Sequence, residues 1–149
     1  MNYIHGDFVF EMVLPQELPL YWQKIEPGLA SIKANKPEWD VEQLPVAIHA
    51  NRANLFIMIR ASRYAGFIIT RSKFCGIPVA HYLEVVGAHR EDWCRQYGGA
   101  SEHIVGFLVE YGKALGCSRI LAESTQFGME RLLKPLGFTL KSISLVKEL

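Results

Sequence analysis

The sequence predicts a single α/β domain over residues 1–149, built on a mixed central sheet of about six strands flanked by helices. Short alternating or wholly apolar runs recur at 8–12, 55–59, 64–70, 79–86, 118–124 and 138–146, the lengths and patterns of half-buried and buried strands. Between the fourth and fifth of these, Ile104, Leu108, Tyr111 and Leu115 recur at three- and four-residue spacing, as on one face of a helix. The middle strands follow one another at turn-length gaps and the later ones are separated by helices, so antiparallel hairpins come first and helical crossovers later.

In chain order, Phe8, Phe10 and Met12 alternate with Asp7, Val9 and Glu11 as a first strand, which Pro15 and Pro19 interrupt. From Leu20 the positions Trp22, Ile25, Leu29 and Ile32 form the apolar stripe of a helix that Pro27 and Gly28 should bend or weaken. A short second helix starts either with the Asp40-x-x-Gln43 capping box or at Leu44 with Pro45 in its first turn. The runs 55–59 and 64–70 suit a hairpin joined by the basic turn Arg60-Ala61-Ser62-Arg63, and 79–86 follows Gly76 and Pro78 as the next strand. A loop is expected over 87–94. The long helix ends at Gly116, with Lys113 near the negative end of its dipole. After the strand at 118–124, Met129, Leu132, Leu133 and Leu136 mark a short helix stopped by Gly137, and 138–146 is the final strand.

Half of the residues are hydrophobic and 21% are charged, enough for a real core without staples. Sixteen basic against fifteen acidic side chains leave a net charge of +1, so no global field draws the protein to nucleic acid or an anionic membrane. Cys75, Cys94 and Cys117 are widely spaced and odd in number, which fits reduced thiols rather than a disulfide framework or zinc site. The start, Asn2-Tyr3-Ile4-His5-Gly6-Asp7, has neither the basic nor the apolar segment of a secretory signal. No apolar run approaches the ~20 residues that span a bilayer. A soluble, cytoplasmic protein is expected.

Three stretches carry a family resemblance. Arg95-Gln96-Tyr97-Gly98-Gly99-Ala100, directly before the long helix, fits the Q/R-x-x-G-x-G/A signature of the GNAT superfamily of acyl-CoA-dependent N-acetyltransferases. Glycines admit a pyrophosphate close to the backbone, and the free N–H groups at a helix N-terminus hold anionic oxygens. Leu132-Leu133-Lys134-Pro135-Leu136-Gly137-Phe138 is similar to that superfamily's helix ending in Y-x-x-x-G-F, and Tyr82-Leu83-Glu84-Val85-Val86 resembles its fourth strand. The resemblance implies a GNAT-like fold with a shortened C-terminal strand region, since one strand, or a fused pair, is all that fits after Gly137. It implies acetyl-CoA as co-substrate, with Arg95, Gln96, Gly98, Gly99 and Ala100 around the pyrophosphate and the backbone of Val85 and Val86 along the pantetheine arm.

It also implies a general base, either Glu84, which shares a strand face with Tyr82, or Glu123 on the next strand; a raised carboxylate pKa would suit that role. The tyrosine that often protonates the departing thiolate in this superfamily falls at Leu133, which has no proton to give. The spacing of Trp93, Tyr97, Ala100 and Ile104 leaves a second possibility open: a helix running from Asp92 through the glycines, whose N–H groups would then be bonded internally and form no cradle.

A narrower likeness, from Trp22 to Leu149, is to small GNAT-like proteins of tailed phages and prophages. It rests on Trp22, Asp40-Val41, Asn54-Leu55-Phe56, Gly116-Cys117-Ser118-Arg119-Ile120, Gly128-Met129-Glu130-Arg131 and Lys147-Glu148-Leu149. It implies a phage-encoded protein located in the host cytoplasm or the virion. Two functions therefore stand: transfer of acetyl from acetyl-CoA to an amine, or a non-catalytic module with virion or host partners, the fold having outlasted its site.

Other chemistries find less support. His5, His49, His81, His89 and His103 lack metal-site spacing, Gly112-Lys113 is not a P-loop, and neither Ser124 nor Cys117 sits in a nucleophile motif. The basic and aromatic residues Arg60, Arg63, Tyr64, Arg71, Lys73 and Phe74 read as solvated strand ends sooner than as a nucleic-acid surface.

Overall fold

The computed structural model describes residues 1–37, 39–96, 98–122, 134–139 and 147, and in it the chain opens with a hairpin. β1 (Asn2–His5) pairs antiparallel with β2 (Phe8–Val13), His5 facing Phe8. Gly6 and Asp7 form the two-residue turn, and Gly6 takes a φ of +60° that a glycine adopts without a Cβ clash. β1 is absent from the sequence prediction, although a Gly-Asp pair beside an alternating run is a hairpin signal.

α1 (Leu18–Asn35) then crosses Pro27 without a break, contrary to the expected weakening. The carbonyl that Pro27 leaves unpaired belongs to Gln23, and both residues are exposed, so water can serve it. Gly28 is buried, and a Cβ there would lie 2.6–2.8 Å from the rings of Phe67 and His89, so the helix approaches the sheet most closely at this point. α2 (Leu44–His49) begins at Leu44 with Pro45 in its first turn, after a 3-10 turn whose cap Asp40 accepts from the Glu42 N–H at 3.1 Å.

β3 (Asn54–Arg60) and β4 (Arg63–Cys75) form the expected hairpin, and β5 (Ala80–Arg90) returns antiparallel along β4. β5 is four residues longer than predicted at its end: the segment expected as a loop at 87–94 is strand to Arg90, paired with Gly66. It then gives way to the single turn α3 (Asp92–Arg95). α4 (Ala100–Ala114) is the long helix, closed at Gly116 by bonds from the Cys117 N–H to the Gly112 carbonyl (2.8 Å) and from the Gly116 N–H to the Lys113 carbonyl (3.0 Å). β6 (Arg119–Ala122) lies parallel to β5.

The sheet order is β1-β2-β3-β4-β5-β6, a curled, mixed sheet with one parallel pair at its β6 side. Among the described residues the sheet has six strands, β1 included. The predicted helix around Met129–Leu133 lies outside the described residues, and so does most of the predicted strand at 138–146; a 3-10 turn at Lys134–Leu136 is described, followed by Gly137.

Each face of the sheet has its own core. On the α4 face Phe10 stacks on Phe107 at 4.2 Å, with Phe8, Phe56, Ile68, Leu83 and Tyr111 around them. On the α1 and α2 face, Ile25, Leu29 and Ile48 pack on Leu55, Ile57, Phe67 and Ile69. Every second residue of β3 and β4 serves each core, which is why their sequences read as continuous apolar runs.

The β3–β4 turn holds Ala61 and Ser62 at φ values of +50° and +61°, a conformation that costs a side-chain-bearing residue roughly 1–2 kcal/mol. Replacing the exposed pair by Asn-Gly (Ala61→Asn with Ser62→Gly) is expected to raise unfolding stability by about 1–2 kcal/mol, measured by urea titration.

Candidate functional site

Three features meet at one end of the sheet. The first is a bulge in β5. Ile69 faces Gly87 and Thr70 faces Val85, so Val86 is an extra residue. Before it Leu83 and Val85 pack on the α4 side; after it Gly87 lies near Ile32 and Trp39, and His89 beside Phe67, on the α1 side. The bulge thus reverses the alternation of the strand and bends it. A plain period-2 reading of 79–86 carries no mark of it.

The second is the parallel pairing of β5 with β6. Their rungs run from Tyr82–Arg119 to Val85–Ala122, the last among the described residues, and the bulge follows at once. Beyond it β5 keeps β4 as its partner to Arg90. The third is the start of α4. A parallel β5–α4–β6 crossover sets the helix N-terminus at the end where both strands finish.

That helix does not run through the glycines. α3 stops at Arg95, Gly98 lies in the turn that follows, and Gly99 caps α4 with a φ of +80°. The left-handed φ breaks the helix and is the reason a glycine stands there. Of the two expectations for this segment, the loop is the one present. Gly99 has no side chain to cap the first turn of α4, whose N–H groups have no partner within the helix.

Arg95, Gln96, Gly98 and Gly99 are exposed around this turn, while Ala100 is buried and anchors the helix against the core. Arg95 donates from Nε to the Arg90 carbonyl at 3.2 Å, which ties the turn to the end of β5. A Cβ built on Gly98 meets nothing within 4 Å, and one on Gly99 meets only Glu102 Oε2 at 3.7 Å. Among the described residues the space over Gly98 is open, with the exposed Glu102 carboxylate beside Gly99. Tyr97 lies outside the described residues.

Tyr82 and Glu84 share the α1 face of β5, as their spacing predicts. Tyr82 Oη accepts from Arg119 Nη1 at 3.0 Å. The Glu84 side chain is only 8% exposed; it pairs with Arg71 Nε, directly across on β4, and with Lys73 Nζ at 3.5 Å. Burial pushes its pKa up, but the Arg71 hydrogen bond and the Arg71 and Lys73 charges together outweigh this and leave it lowered. That is opposite to the raised value expected of a base. The sequence missed it because Arg71 and Lys73 become neighbours of Glu84 only through the β4–β5 register. Glu123, the other candidate base, and Leu133 lie outside the described residues.

The remaining basic residues of the hairpin are also engaged within the chain. Arg60 Nε pairs with Asp7 Oδ2 at 2.6 Å, and the Arg63 guanidinium sits 4.5 Å from the Trp93 ring centre. Among the described residues no group of three or more His, Cys, Asp or Glu side chains could hold a metal ion, and no helix is long and apolar enough to cross a membrane.

The sequence matches no protein-family model, and no curated protein matches it. Solved structures do. The chain superposes on a ribosomal-protein-alanine N-acetyltransferase from Brucella melitensis biovar Abortus 2308 with a TM-score of 0.70 at 13% identity, covering 95% of this chain and 99% of that one. A GNAT family acetyltransferase from Staphylococcus aureus gives 0.68 at 14%, covering 97% and 100%. An aminoglycoside acetyltransferase from an uncultured soil metagenomic sample gives 0.64 at 13%, covering 96% and 97%. The fold of this chain is the GNAT fold.

A depressed carboxylate pKa stabilises the folded state fully above the ordinary glutamate pKa, and that contribution is lost as the pH falls through the lowered value. Glu84→Gln is therefore expected to lower stability by about 1 kcal/mol at pH 7, the scale of a partly exposed pair. The gap between the two proteins should narrow as the pH falls below the ordinary glutamate pKa of about 4.3. Urea titrations at pH 7, 5 and 3.5 check both statements.

Proposed function

We propose that this protein is an N-acetyltransferase that binds acetyl-CoA at the bulged end of β5 and passes the acetyl group to an amine. The observation that carries the reading is the Gly98–Gly99 turn, which breaks the helix and leaves the N-terminus of α4 uncapped beside the bulged end of β5.

In this reading the N–H groups of the first turn of α4, with Arg95 and Gln96, hold the pyrophosphate. The backbone of Val85 and Val86, at the bulge of β5, bonds the pantetheine arm. The acetyl thioester supplies the activated acyl group. Backbone N–H groups fixed by the β4–β5 ladder stabilise charge on its carbonyl oxygen as the amine attacks.

Glu84, held ionised by Arg71 and Lys73, attracts and orients the acceptor ammonium, with Tyr82 beside it; Glu84 or Glu123 takes the proton. The lowered pKa of Glu84 makes it the weaker base and the better anchor. The rival reading, a non-catalytic phage module with virion or host partners, called for a helix from Asp92 through the glycines, and the turn at Gly99 favours acetyl-CoA binding instead.

Titration calorimetry with acetyl-CoA tests this. Gly98 is the clean probe, because its Cβ position is open and its φ lies outside the left-handed region. Gly98→Asp should leave folding intact and weaken binding at least tenfold, about 1.4 kcal/mol, since its carboxylate repels the pyrophosphate. Absence of binding heat for the unaltered protein at millimolar acetyl-CoA would sink the proposal.

A further inference from the structure

We infer, on the acetyltransferase reading above, that the acceptor is an amine carrying its own anionic group, a carboxylate or a phosphate. Its ammonium meets Glu84, and its anion is held over Tyr82 between Lys73 and Arg119.

The strand registers assemble this surface. Facing residues of paired strands share a side of the sheet, so two rungs set their side chains in rows on the α1 face. Lys73 faces Tyr82 across β4 and β5, and Tyr82 faces Arg119 across β5 and β6. The next row toward the bulge sets Arg71 against Glu84, and Glu84 against Leu121. Strands lie about 4.8 Å apart and rise about 3.3 Å per residue, so the backbones of Lys73 and Arg119 stand roughly 10 Å apart with Tyr82 between them. Glu84 follows roughly 7 Å further along β5. That spacing suits a small molecule, or the end of a peptide, with opposite charges a few bonds apart.

The charges in the two rows are unequal. Among the described residues they hold three cations and one carboxylate, Glu84. Arg71 Nε and Lys73 Nζ both meet its Oε2, the lysine at 3.5 Å, and no described residue donates to Oε1. An ammonium can therefore take Oε1, but it comes close to two cations that already draw on the same negative charge. A bare amine is repelled by them, whereas an amine that brings an anion answers their charge as it binds.

Arg119 gives that anion a fixed receptor. Its Nη1 donates to Tyr82 Oη at 3.0 Å, and its guanidinium carbon lies 5.8 Å from the centre of the Tyr82 ring. Both contacts orient the group without placing a negative charge beside it, and among the described residues no carboxylate pairs with it. A guanidinium carries five N–H donors in a planar fork, and the donors that Tyr82 leaves match the paired oxygens of a carboxylate or phosphate. The residue is exposed, so an acceptor reaches it from solvent. Arg119 is thus a specificity residue in a site whose anchor is Glu84.

Steady-state rates of thiol release at saturating acetyl-CoA test this with acceptors matched except for the anion. The pairs are glycine and glycinamide, O-phosphoethanolamine and ethanolamine, and a peptide amide with aspartate or asparagine in its second position. In at least one pair the anionic member should have a kcat/KM at least tenfold higher, and the pair that responds tells a free carboxylate, a phosphate and an acidic peptide apart. Arg119→Gln should cut that ratio at least tenfold, with acetyl-CoA binding and the circular dichroism spectrum unchanged. Arg119→Lys, which keeps the charge and loses the fork, should restore part of it. Equal rates or a preference for the neutral member in every pair, no turnover of any anionic acceptor, or a ratio that Arg119→Gln leaves in place would each overturn the inference. Titration calorimetry separates the two levels: without acetyl-CoA binding the acetyltransferase reading and this inference fall together, and with binding but no anionic preference the acceptor class alone falls.

Discussion

β5 is hydrogen-bonded to β4 from Ala80 to Arg90, on both sides of the bulge at Val86, and to β6 over four described rungs that reach Val85. The long antiparallel ladder organises the molecule, because it fixes the path of β5 before and after the bulge. The parallel ladder requires a crossover, and the crossover delivers the N-terminus of α4 to the same place. The bulged end of β5 and the N-terminus of α4 thus come together by one topology.

The two cores hold this arrangement from both sides. α4 is fixed by an aromatic cluster in which Tyr3, Phe10, Phe56, Phe107 and Tyr111 meet edge-on or stacked, contacts worth more than their area alone. Tyr111 brings a hydroxyl into that cluster, and it accepts from Asn54 Nδ2 at 3.0 Å. Burial, with Tyr3 and Cys117 adding to it, pushes the Tyr111 pKa up to about 12, so the phenol stays neutral. On the other face, α1 comes within contact of Phe67 and His89 at Gly28, beside the post-bulge half of β5. Any change in the path of β5 is felt by both helices.

Much of the fold could be read from residue patterns because those patterns report local chemistry. The stripe of Ile104, Leu108 and Tyr111 predicts α4, and Gly116 predicts its end, since both follow from helix geometry and the steric freedom of one residue. The hairpin of β3 and β4 is likewise legible in two apolar runs around a short turn. β1 was missed where a signal existed, in Gly6-Asp7; the extension of β5 to Arg90 was missed because residues 87–90 are strand only by virtue of the partner that β4 offers.

The sequence by itself determined which segments bury, where α4 begins its apolar face, and that glycines stand ahead of it. Whether those glycines interrupt the helix depended on a balance that composition does not settle: helical spacing continues through Trp93, Ala100 and Ile104, and only the placement of α3 and α4 around Cys94 and Ala100 in the core makes the left-handed turn at Gly99 the lower-energy path. The state of Glu84 was decided the same way. A carboxylate on a strand has no fixed pKa until the neighbouring strand is in register, and tertiary pairing supplied the Arg71 and Lys73 charges that no spacing along the chain could reveal.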